Sequence, residues 1–181
     1  MKPLKLFATV GSTFLLLLIG ATPAAADAHR SFVSGFEFYA TSTQGRFAGS
    51  ATGQGASGLS GAWSIVVDHT SLSGCWQRNQ TCGRVTGGSF SLVVPNPTEV
   101  VRGSFNGQTT EEQIDTIVLL DPGGSCSNQR YWIADGLHNV GAWDNLGTGS
   151  FGAVLTHYRH SIFGQCITYS ATVQGMVELN F

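Results

Sequence analysis

The chain has 181 residues, with nine Lys and Arg against eleven Asp and Glu, 24 glycines and four cysteines. That is the length of one domain, and a slightly acidic chain with no basic cluster argues against nucleic acid or anionic membrane surfaces as partners.

Residues 1–28 read as a signal peptide. Lys2 and Lys5 form a basic start, Phe14 to Ile19 an apolar run too short for a stable span, and small residues follow. Cleavage fits after Ala26 or after Ala28, which leaves residues 29–181 as one secreted domain. Nine basic residues less Lys2 and Lys5 leave seven arginines, against eleven acids if the mature chain starts at Asp27, a net charge near −4.

Helical periodicity is nearly absent after the leader. Thr109 to Gln113 has the Thr/Glu spacing that could cap a single turn. Two-residue alternation is abundant. It runs through Phe32–Ala40, Phe47–Ala51 and Leu59–His69, then Phe90–Val94 and Val101–Phe105. Ile114–Leu120 reads as buried on both faces. Tyr131–Ala134 and Phe151–His157 follow, and the last stretch, Ile167 to Phe181, alternates almost without interruption. Turns such as Gly87-Gly88, Asn106-Gly107 and Pro122-Gly123-Gly124 separate these runs.

The pattern predicts an all-β, single-domain antiparallel β-barrel of eight or nine strands, with a β-sandwich as the alternative. Parallel α/β folds are excluded because no sequence is left for crossover helices. The outline is similar to lipocalin-, avidin- and allene-oxide-cyclase-like barrels, and outline alone carries no function.

Four cysteines in an exported domain predict two disulfides. Of three possible connectivities, Cys75–Cys82 with Cys126–Cys166 fits best. The first pair brackets a short polar loop, and Cys166 falls on the polar face of the last strand.

Candidate chemistry is dispersed. The 122–149 region combines Trp132, Asp135, His138 and Trp143, a mixture of rings and polar groups suited to a small ligand or a sugar. Non-catalytic binding there is the expected function; the same residues could instead simply close a barrel end. His69 and His157 each end an apolar row, Trp63-Ile65-Val67 and Phe151-Ala153-Leu155. A cofactor-independent cyclase or isomerase inside the barrel would use them as proton-handling groups; hydrogen-bonded strand-end histidines are the plainer reading. Asp68 cannot orient His69, because neighbouring strand residues point apart. Glu37, Asp115 and Glu178 read as outer-face charges.

No cofactor or metal is expected. An Asp27-Ala28-His29 terminus could chelate Cu(II), and a first-position His29 resembles the histidine brace of copper monooxygenases, without any further motif of that family. The terminal Phe181 after alternating Val177 and Leu179 resembles the closing strand of an eight-stranded outer-membrane barrel, a third alternative that the short, glycine-broken strands oppose.

Overall fold

Alternation of small and apolar residues from Gly147 to Asn180 builds two 16-residue strands that anchor the sheet. The computed structural model describes residues 27–74, 81–107, 117–121, 124–142 and 147–181. Its strands are β1 (Ala28–Ala40), β2 (Gln44–Gln54), β3 (Gly61–His69), β4 (Ser73–Gly74), β5 (Thr81–Gly83), β6 (Val85–Pro95), β7 (Thr98–Phe105), β8 (Ile117–Asp121), β9 (Gln129–Gly141), β10 (Gly147–Ile162) and β11 (Gln165–Asn180). A single 3-10 turn, η1 (Gly124–Cys126), precedes β9.

Every pairing is antiparallel, in the order β10-β11-β1-β2-β3-β6-β7-β9, and β9 pairs with β10 to close an eight-stranded barrel. The expected barrel is therefore the fold, closed without free edges over most of its height. Strand β8 follows β7 along the same side of β9: Phe105 pairs with Leu137, and Ile117 with Ile133. Strands β5 and β4 add to β8.

Inward positions alternate as two-residue periodicity requires. Val33, Trp63, Ile65, Leu92, Val101, Leu137, Ala153, Val173, Val177 and Leu179 fill the interior, burying apolar area that is the main favourable term in folding. Trp63 lies over the paired glycines Gly35 and Gly49, and its indole N–H donates to the Ser34 and Ser50 carbonyls at 3.0 and 2.9 Å. A Cβ at Gly35 would meet both the Ala48 carbonyl and the indole, so these glycines let β1, β2 and Trp63 approach closely.

Two strand readings are corrected. In β1 the aromatic row is outside: Phe32, Phe36 and Phe38 are exposed, while Ser31, Val33 and Glu37 point inward. A bulge between Glu37 and Tyr39 then reverses the parity, turning Ala40 toward the interior. In β8, Ile117 is buried but Leu120 is exposed, so the strand is not covered on both faces. The Thr109–Gln113 turn and Asp115 lie outside the described residues.

The ends of β10 and β11 project past the barrel. Residues 160–170 are all exposed, and Phe163-Gly164, both at positive φ, form the two-residue turn at the tip. The Cys126–Cys166 disulfide fastens this arm to η1. The bond is compatible with an oxidising compartment. Cys82 is not a free thiol, and Cys75, its expected partner, lies outside the described residues.

Candidate functional site

Inward residues two apart on a strand occupy successive layers of the barrel. Where β1 and β3 end, beside Leu155 and His157 of β10, the packed interior gives way to a cavity of about 360 Å³. Its inner layer is apolar: Phe47 on β2, Val67 on β3, Ile133 on β9 and Leu155 on β10, joined by Ile117 on β8. One step outward, the same or neighbouring strands carry Glu37, His69, Tyr131 and His157. The cavity thus has an apolar floor under a polar collar. Thr41, Ser42, Ser71 and Leu72 form its rim.

His69 and His157 share this cavity from opposite walls. In the closed order β3 is four strands from β10 in either direction. The histidines therefore straddle the space, and among the described residues no group of three or more His, Cys, Asp or Glu could hold a metal ion.

Glu37 is the residue sequence reasoning placed on the wrong face. Its side chain is only 9 % exposed, and its Oε2 accepts from His157 Nε2 at 2.9 Å. The two meet on either side of Ala171 of β11. His157 pairs with Ala171, and Glu37 lies one residue past the last β1–β11 pair, Phe36 with Thr172. Only a small inward side chain on the intervening strand leaves room for carboxylate and ring to touch. Glu37 keeps the parity of Ser31 and Val33, because the bulge comes only after it; the more hydrophobic aromatic row on the other parity hid the inward acid.

The hydrogen bonds define the histidine tautomers. His157 Nε2–H donates to Glu37, so in the neutral ring Nδ1 holds the lone pair. His69 Nδ1 lies 2.8 Å from the Thr70 carbonyl, which can only accept, leaving Nε2 as its basic atom. Neither of those basic atoms has a hydrogen-bond partner among the described residues. Tyr131 packs its ring 5.2 Å from that of His157 and donates its hydroxyl to Gln129 Oε1 at 3.1 Å. Burial raises the Tyr131 hydroxyl above the usual phenol range; the Arg159 charge opposes this and the Glu37 charge adds to it. Tyr131 therefore stays a neutral donor.

The four residues of the 122–149 region are not gathered into one surface. The middle of that region, Gln129–Gly141, is the regular strand β9 rather than a loop. Trp132 points outward, 40 % exposed, over Gly152 of β10. Asp135 is buried and accepts from the Gly107 and Gly136 N–H groups at 3.2 and 2.9 Å. His138 Nδ1 lies 2.6 Å from Asn106 Oδ1. Asp135 and His138 thus hold the Asn106-Gly107 corner where β7 ends. Burial raises the Asp135 carboxyl above its ordinary value, against the lowering effect of both backbone N–H groups and of His138. Trp143 lies outside the described residues.

His29 opens β1 with its Nδ1 2.7 Å from the Ser57 carbonyl and its ring 4.8 Å from Phe181. Asp68 accepts from Gln44 Nε2 at 2.6 Å and does not serve His69. Glu178 is on the outer face, paired with Arg30 at 2.7 Å.

Comparison with protein-family models, curated proteins and solved structures finds no match to this chain.

Proposed function

We propose that the protein is a secreted barrel that binds a small amphiphilic molecule in the cavity at the ends of β1 and β3. The single observation behind this reading is the layering of the cavity. Five apolar side chains form the floor, and hydrogen-bonding groups with unfilled capacity form the collar. An apolar body would displace water from the floor, and one hydroxyl would donate to His69 Nε2 or His157 Nδ1. A volume of about 360 Å³ sits at the small end of known ligand sites.

A sugar fits less well than an amphiphile, because the floor offers no polar partners and Trp132 stands outside the wall. The leader and the disulfide support export. Exposed Ser50, Ser64 and Arg102 on the outer faces of β2, β3 and β7 favour water over lipid around the barrel.

The test is fluorescence of N-phenyl-1-naphthylamine, a neutral apolar dye. The wild type should enhance it saturably, Leu155→Trp should abolish the enhancement by filling the floor, and Trp132→Ala should leave it unchanged. Loss in Trp132→Ala with retention in Leu155→Trp would refute the cavity as the site.

A further inference from the structure

A cavity that only binds has no need of a carboxylate buried against an imidazole. Glu37 makes one hydrogen bond to a side chain, and that bond orients His157. The carboxylate holds the ring in the tautomer whose Nδ1 is basic and stabilises the imidazolium that forms if that nitrogen takes a proton. Across the barrel, the Thr70 carbonyl holds His69 in the tautomer whose Nε2 is basic. Between the two lies an apolar space, where charge–dipole interactions are stronger than in water.

We propose that this collar is a general acid–base site. His157, oriented by Glu37, takes a proton from carbon, and His69, when protonated at Nε2, donates a hydrogen bond to the carbonyl oxygen from the opposite side of the same ligand. This deepens the binding reading above and rests on it. The substrate class is a neutral, largely apolar β,γ-unsaturated carbonyl compound with an acidic C–H between the carbonyl and the double bond. The C–H electrons pass to the carbonyl oxygen as the proton moves to His157 Nδ1. The resulting dienolate then collapses as His157 returns the proton at the γ carbon, which moves the double bond into conjugation with the carbonyl. Atoms and electrons balance within the substrate and the two rings, so the product is an isomer and no oxidant, reductant or cofactor enters. Tyr131, kept neutral and packed against His157, walls off one side of the ring.

The natural substrate need not be known to test the base. In 5-nitrobenzisoxazole a base removes the ring C–H proton, the C–H electrons form the nitrile as the N–O bond breaks, and oxygen leaves as a coloured phenolate. The unreactive analogue 5-nitroindazole reports binding separately. Wild type should bind 5-nitroindazole and turn over the benzisoxazole faster than the same concentration of free imidazole. His157→Gln should retain 5-nitroindazole binding and lose roughly 100-fold in rate. Glu37→Gln should fall between wild type and His157→Gln. His160→Gln, on the exposed arm, should match wild type. Should the collar variants fail to fold, Leu155→Trp serves in their place, since it fills the floor and should abolish both binding and rate.

Binding of 5-nitroindazole with a rate no better than free imidazole would overturn the acid–base proposal and leave the binding reading standing. A rate that survives in His157→Gln would also overturn it. Failure of the wild type to bind 5-nitroindazole would overturn both readings.

Discussion

Glu37 and His157, 120 residues apart in the chain, form a 2.9 Å hydrogen-bonded pair, an ion pair once the ring is protonated, on either side of Ala171, a residue of the strand between theirs. The pair exists because Ala171 carries a single inward methyl group. Ala171→Leu should push carboxylate and ring apart and overpack the wall, lowering stability by about 1–3 kcal/mol. Chemical denaturation measures the loss, and the 5-nitrobenzisoxazole rate should fall with it. Retention of the wild-type rate would mean the ion pair is not needed there.

Removing the acid alone has a different signature. Glu37→Ala leaves the His157 ring without its partner in a partly buried site. The expected cost is about 2 kcal/mol, below the range for fully buried pairs because the ring borders the cavity. The urea midpoint should move down with an unchanged slope, since the barrel itself persists.

Asp135 predicts a pH dependence of stability. Burial lifts its folded-state pKa above the ordinary value, so the folded chain holds this proton at pH values where the unfolded chain has already released it. Its contribution is therefore favourable below the ordinary carboxylate pKa and declines as pH rises through the raised value. In Asp135→Asn that decline should vanish from the curve of melting temperature against pH. The variant should also be less stable at low pH, because the amide can accept only one of the Gly107 and Gly136 N–H bonds.

The disulfide Cys126–Cys166 closes a 40-residue separation and holds the projecting hairpin against η1. Replacing both cysteines by serine should cost about 4 kcal/mol on a chain-entropy argument. The barrel strands should stay closed, because their pairings do not involve the arm. Limited proteolysis should then cut first within residues 160–170, around Phe163. Cutting in β9 or β1 instead would show that the bond supports the barrel.

Regular alternation made the barrel legible. The rows ending at His69 and His157 point inward as their spacing requires, and both histidines reach one cavity. The site was only partly legible, because long-range closure decides it. Phe32, Phe36 and Phe38 outweigh Ser31, Val33 and Glu37 in hydrophobicity, so the exposed aromatic row reads as the core row and Glu37 as solvated. Trp132, Asp135 and His138 were close in sequence but sit on opposite faces of one strand or at its far corner. Which strands become neighbours on closure carries no local signature, so the Glu37–His157 contact could not be read from the chain.

The account turns on where a ligand sits. Backbone amide shifts of ¹⁵N-labelled protein titrated with 5-nitroindazole locate it directly. The cavity reading predicts that the amides of Gly45, His69, Tyr131 and His157 move together and saturably, while those of Ala134, Gly136 and His138 stay still. Movement of the second set with the first set unchanged would contradict it and return the site to the outer part of β9.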